Sequence, residues 1–274
     1  MRMRLKCIAC EVFARPLYFL ASRSANIIDI ELIEKAQHNQ PEELRSSIRA
    51  RIRQVPSDRY DSVVLAYGLC GKALEGIQAG PIPVVIPRAH DCITLYLGSR
   101  ERYREEFERE PGTFWYIDDY VERSSEEELD GFGGPGTFYT LEPRGSLERD
   151  PDGAPGKSWS SGSFSRDADR LFREYVEKYG EDNARYLIRE MSAWHDHYRR
   201  AVYIRTGLAN AGRAESRARM RAKTAGWAYE EVPADLRLLE KLLNGDWDED
   251  FLMVQPGRKI AMSLDEEVVR IARE

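Results

Sequence analysis

Residues 61–71, DSVVLAYGLCG, carry an unbroken apolar run that passes directly into a turn with a glycine on each side of Leu69–Cys70. A short apolar run closed by a turn reads as a strand buried on both faces, which is how strands of a parallel sheet covered by helices read. Two further runs share the character: LKCIAC at 5–10 and IPVVIP at 82–87. Each is followed at once or within a few residues by a cysteine, giving Cys10, Cys70 and Cys92. In an open α/β sheet, ligands gather at the carboxyl ends of the strands.

Working outward, helical and strand-like segments alternate through residue 123. Residues 11–24 (EVFARPLYFLASRS) read as a helix with Pro16 in an early turn, and 26–34 (NIIDIELIE) as a second strand. Residues 41–55 (PEELRSSIRARIRQV) form an amphipathic helix, with Pro41 at the start, acids early, and Leu44, Ile48, Ile52 and Val55 on one face. A short helix at 73–78 (ALEGIQ), a charged helix at 99–110 and a fifth strand within 113–121 (TFWYIDDYV) complete this part. The pattern predicts an α/β fold, a Rossmann-like parallel sheet of four to six strands. Right-handed crossovers place all strand carboxyl ends on one rim. In the order 2-1-3-4, strands one, three and four are neighbours about 4.8 Å apart, close enough for their three cysteine loops to share one ligand.

The expected organisation is an α/β core over 1–123, a Gly/Ser/Pro-rich insertion or lid over 124–165, and a mainly helical subdomain with a final strand over 166–274. In that last part 167–180, 183–207, 213–227 and 234–245 read as helices, and 251–261 as a strand that joins the sheet edge or returns the chain to the core.

Hydrophobic residues make up 42% and charged residues 32% of the 274, and the formal net charge is −6. That is a globular composition, and its acidity argues against nucleic acid or an anionic membrane as a partner. No stretch approaches the roughly 18 apolar residues of a membrane span. The first residues, MRMRLKCIACEVFARPLYFLA, have charges at Lys6, Glu11 and Arg15 and read as a buried strand leading into a helix, not a signal peptide. A cytoplasmic location follows as the expectation, and four cysteines there point to metal binding, catalysis or burial.

Three thiolates make a soft ligand set that leaves one position open, so Cys10, Cys70 and Cys92 are the candidate metal ligands, for Zn2+ or for a [4Fe-4S] cluster. One reactive thiol, or plain burial, is the competing reading of the same residues. Cys7 lies inside the apolar run and reads as core. The loop at 87–92, PRAHDC, adds His90 as acid/base or fourth ligand, Asp91 as its partner, and Arg88 as a cofactor contact. Gly68 and Gly71 permit close approach of a cofactor to the chain, and Tyr67 offers a hydroxyl to a substrate. Ser99 caps the next helix, where Arg100 and the helix start suit an anion or a solvated charged face. His195 and His197 are two apart on an expected helix, so they lack the i, i+4 spacing of a metal pair. The sequence holds neither a phosphate-loop motif nor a Ser–His–Asp signature.

The segments CIACEV (7–12), YGLCG (67–71), PRAHDCITLYLGSRERY (87–103), PGTFWY (111–116) and GDWDEDFLMVQPGRKI (245–260) together resemble the bacterial and archaeal family called domain of unknown function 1638. The resemblance implies a shared set of Cys10, Cys70, Cys92 and His90, and an association with corrinoid-dependent methyl transfer in one-carbon metabolism. The D-x-H-x-x-G motif of cobalamin-binding modules is absent. The expectation is a metal- or iron-sulfur-dependent enzyme acting on a small molecule. Its alternatives are a metal-free cysteine nucleophile and an accessory protein of a corrinoid methyltransferase.

Overall fold

The computed structural model of the chain describes residues 2–35, 41–69, 73–124, 198–209, 212–263 and 267–272, with isolated positions between 173 and 181. Strand β1 (Arg4–Cys10) pairs in parallel with β2 (Ile27–Ile33) on one side and β3 (Ser62–Ala66) on the other. Beyond β3 comes β4 (Val84–Pro87), also parallel, and then β8 (Phe251–Val254), antiparallel at the edge. The sheet order is β2-β1-β3-β4-β8. The expected 2-1-3-4 arrangement is therefore present, within a mixed sheet that is mostly parallel. Every residue of β3 and β4 is buried, as their continuous apolar runs require.

Helices cover both faces. A single 3-10 turn at Glu11–Phe13 leads from β1 into α1 (Ala14–Ala21), which packs on α7 (Arg237–Asn244). Leu238, Leu239, Leu242 and Leu243 of α7 join Leu5, Cys7, Phe13, Leu17 and Tyr96 in one core layer. On the other face, α2 (Pro41–Gln54) buries Leu44, Ile48 and Ile52 in a second layer with Val63, Leu65, Val84 and Ile86. A hairpin of β9 (Ile260–Met262) and β10 (Val269–Ile271), not expected from the sequence, closes that side.

After β4 come α3 (Cys92–Leu97) and α4 (Arg100–Arg109). Here the chain leaves the main sheet. Strand β5 (Thr113–Ile117), expected as its fifth strand, belongs instead to a separate three-stranded parallel sheet with β6 (Arg200–Arg205) and β7 (Ala228–Pro233). The expected helix over 183–207 is corrected at its end, because 200–205 is strand β6 and is buried through Ile204. RAVYIR mixes β-branched and aromatic residues with no polar spacing, and a short run of that kind carries no period of its own. Helix α5 (Asp118–Glu122) follows β5 and packs on the 3-10 turn after β1 and on α6 (Arg213–Ala225), whose Ala214, Ala218 and Ala222 face the small sheet. Residues 73–76, expected as helix, form turns. The insertion at 124–165 lies outside the described residues except for Ser124, as do His195 and His197. No described helix is long and apolar enough to cross a membrane.

Candidate functional site

The parallel pairing brings the carboxyl ends of β1, β3 and β4 to one rim. Ala9 is level with Ala66 across the β1–β3 ladder, so Cys10, the last residue of β1, is level with Tyr67 just beyond β3. The turns after β3 and β4 are in contact. Leu69 N–H donates to the Ala89 carbonyl at 2.8 Å. A Cβ on Gly68 would stand 2.5 Å from Asp91 Cα, 2.6 Å from its N and 2.7 Å from its C. Gly68 is therefore required by close approach of two backbones, not by a left-handed angle. Cys70 and Gly71 lie outside the described residues, two and three positions beyond this contact.

The PRAHDC loop divides its groups between support and exposure. Asp91 caps α3, its Oδ1 accepting from Thr94 N–H at 3.1 Å, and its Oδ2 accepts from the Tyr103 hydroxyl at 2.9 Å. Burial raises the Asp91 carboxyl, against the pull of the Thr94 N–H, the Tyr103 hydroxyl and His90. His90 is exposed, and its ring stacks on Tyr103 with centroids 5.8 Å apart. Tyr103 thus reaches, from α4, both residues that precede Cys92. Cys92 is the first residue of α3, half-buried against the core layer.

Other residues expected to bind a cofactor have protein partners. Arg88 donates to the carbonyls of Glu267 (3.1 Å) and Val269, tying the loop to the C-terminal hairpin. Ser99 caps α4 by accepting from Arg102 N–H at 3.0 Å, and Arg100 is 3.4 Å from Asp250. Tyr67 is buried just beyond β3.

Cys10 has the most elaborate surroundings. Burial pushes its thiol up to about 12; the Val12 N–H opposes this, Glu11 adds to it, and Lys35 and Arg123 act to lower it. A thiol so placed becomes a thiolate near neutral pH only when a cation takes the place of its proton. Tyr96, fully buried, donates to the Val12 carbonyl, stacks on Phe13 at 5.1 Å, and lies within electrostatic reach of Asp119, Cys92 and Cys10. Cys10 and Cys92 are both partly buried against the core layer that contains Tyr96. Cys7 is fully buried, its thiol likewise raised to about 12 by burial, as its core reading requires.

Four of these groups had no signal in the sequence. Tyr103 falls in the charged helix expected at 99–110 and Tyr96 just before it, while Lys35 and Arg123 lie just past strand-like runs, and none of the four was singled out. The Asp91–Thr94 spacing does mark a helix cap, and with it the turn that Tyr103 supports. Among the described residues, no group of three or more His, Cys, Asp or Glu stands ready to hold a metal ion. The three-cysteine set includes Cys70, which is outside them.

A family model described as a protein of unknown function (DUF1638) matches residues 32–243, a span that takes in the turns of Cys70 and Cys92 and begins after Cys10. No curated protein and no solved structure matches the chain.

Proposed function

Because the chain belongs to the DUF1638 family, whose description assigns no activity, its chemistry rests on its own residues, and we propose that it is a thiolate-ligated metal or iron-sulfur enzyme acting on a small molecule. Cys10, Cys70 and Cys92 are the proposed ligands. The observation that carries this reading is the seating of Gly68 on the Asp91 backbone, which joins the turn leading to Cys70 with the turn bearing Cys92. Beside both turns, β1 delivers Cys10 to the same rim.

Cys10, Cys70 and Cys92 would hold the Zn2+ or [4Fe-4S] cluster, which when bound would supply Lewis acidity toward a substrate. Around that site the chain's own groups divide the work. His90, exposed and held by stacking on Tyr103, receives or delivers a proton at an imidazole nitrogen. Asp91 holds the first turn of α3, and with it Cys92, in place. The buried layer beneath, with Tyr96 and Phe13, excludes water from the ligand sulfurs on the core side.

Anaerobic purification of the full chain followed by elemental analysis tests the reading. The expected result is about one zinc per chain in a colourless sample, or iron and sulfide with broad visible absorbance, lost in each of Cys10→Ala, Cys70→Ala and Cys92→Ala. Wild-type protein that takes up neither zinc nor a reconstituted cluster overturns it. So does a triple cysteine variant that retains the wild-type metal content. In those cases a single thiol alkylated rapidly at neutral pH would instead support a cysteine nucleophile. Cys10, with its thiol raised, is poorly suited to that role.

A further inference from the structure

Helix α4 buries none of its residues, although Tyr103, Glu106, Phe107 and Glu110 recur at the three- and four-residue spacing of a single face. That face stands across a narrow open cleft from Thr113 and Trp115 of β5. A helix beside a sheet ordinarily closes such a gap with its apolar stripe. Here Phe107, on the stripe, is left 56% exposed at the cleft. The walls hold three aromatic rings and two carboxylates, and no basic side chain lines them. Glu106 is occupied, pairing with Arg200 at 2.8 Å and Arg109 at 3.0 Å. Glu110 is half-buried and gives one oxygen to the Gly112 N–H at 3.0 Å; its other oxygen has no partner among the described residues. Next to the cleft the fold shows what such walls hold. The Arg200 guanidinium lies 5.8 Å from the centroid of the Trp115 ring while it pairs with Glu106.

We infer that this cleft is a binding site for a small organic cation of the guanidinium type. Aromatic faces are negative and attract a cation laid over them. A guanidinium is flat, so it enters a narrow cleft edge-on, stacks on rings and forks its N–H groups onto a carboxylate. A compact ammonium has no flat face to lay on the rings. Phe107 and Glu110 are three residues apart on one helix face, so a single guanidinium can meet the exposed ring and the free oxygen together. The site goes beyond the proposed metal chemistry and needs none of the cysteines. It adjoins the rim through Tyr103, whose ring stacks on His90 and whose hydroxyl holds Asp91.

The test is a calorimetric titration of the full-length protein with n-butylguanidinium. Pentan-1-ol serves as the neutral counterpart, and a short arginine-containing peptide with blocked ends as a third arm. The expected result is saturable binding of butylguanidinium, with no binding of pentan-1-ol over the same concentrations. Phe107→Ala should weaken butylguanidinium by about 3- to 30-fold, the range of one cation–π contact. Glu110→Gln, whose amide oxygen still serves the Gly112 N–H, should weaken it by about 10-fold through loss of the charge. Binding is read at a temperature where circular dichroism shows each variant folded, so a lost affinity reports the cleft. Wild-type protein that shows no saturable binding overturns the inference. Pentan-1-ol bound as tightly makes the cleft an apolar slot and overturns it too, as does unchanged affinity in Phe107→Ala and Glu110→Gln. Binding of the peptide but not of butylguanidinium makes the cleft a docking point for another polypeptide and likewise overturns it. None of these results bears on metal content, so the cleft and the metal site can fail separately.

Discussion

Substituting Gly68 with alanine probes the contact on which the candidate site depends. The added Cβ would meet three backbone atoms of Asp91 at 2.5, 2.6 and 2.7 Å. Carbon atoms pack comfortably at about 3.5–4.0 Å, so the two turns must separate by about 1 Å. No rotamer change can relieve the clash, because the atoms met belong to the main chain. Overpacking of this kind costs about 1–3 kcal/mol, and the rigidity of the partner puts Gly68→Ala toward the upper end. Alanine also restricts the unfolded chain, which returns about 0.4–1 kcal/mol. The net expectation is a loss of about 2 kcal/mol, or roughly 4–8 °C in melting temperature for a chain of this size. Gly212→Ala serves as the control, since a Cβ there meets nothing within 4 Å. Melting curves of both variants, followed by circular dichroism, decide the matter. The same separation strains the Leu69–Ala89 hydrogen bond, so the metal content of Gly68→Ala should fall even at temperatures where it is fully folded. A Gly68→Ala protein that melts with the wild type and loads metal equally would refute the close packing of the two turns.

Three further outcomes follow from other side-chain contacts. Arg200, the first residue of β6, is buried, 2.8 Å from Glu106, 3.1 Å from Glu230, and donating to Thr113 Oγ1 at 2.9 Å; Arg200→Met should cost about 1.5–3 kcal/mol by chemical denaturation, because these charge-assisted bonds are lost while Arg109 still pairs with both carboxylates. Asp118 is buried, accepts from the Tyr203 hydroxyl at 2.8 Å, and has its carboxyl raised chiefly by burial, with Glu122, Arg15 and Glu215 also facing it. A raised folded-state pKa means that the folded protein holds the proton more tightly than the unfolded one, so stability is lost as pH rises from about 4 through the folded value. Asp118→Asn keeps an acceptor for Tyr203 and removes the titration; its stability relative to wild type should improve as pH rises from about 4 and level off above the folded value, and a difference independent of pH would contradict the assignment. Arg88→Ala should free the C-terminal hairpin from the PRAHDC loop, a loss of about 1.5–3 kcal/mol that hydrogen exchange should register as lowered protection at Val269 and Ile271, with β1 and β3 unchanged.

How much of this was legible in the sequence depends on the distance over which each feature is encoded. Strands β3 and β4 were legible because burial on both faces leaves continuous apolar runs, and the cap Ser99 because a helix start needs its acceptor within three residues; Asp91, read as a partner of His90, caps α3 instead. Strand β6 was not, since RAVYIR follows a stretch with helical spacing and nothing local marks the change. Nor was the departure of β5 from the main sheet, because TFWYI is equally apolar in either sheet and its partner lies more than eighty residues away. The site divides along the same line. Cys10 and Cys92 sit where strand ends put them, so a local pattern locates them. What holds the Cys92 turn is not local: Tyr103 reaches Asp91 from α4, and Leu69 reaches the Ala89 carbonyl from the turn after β3. Positions of candidate ligands are thus a property of short segments, whereas the contacts that bring their turns together are a property of the assembled rim. A motif containing the same cysteines is compatible with burial, nucleophilic attack or metal binding, so the motif alone does not separate these chemistries.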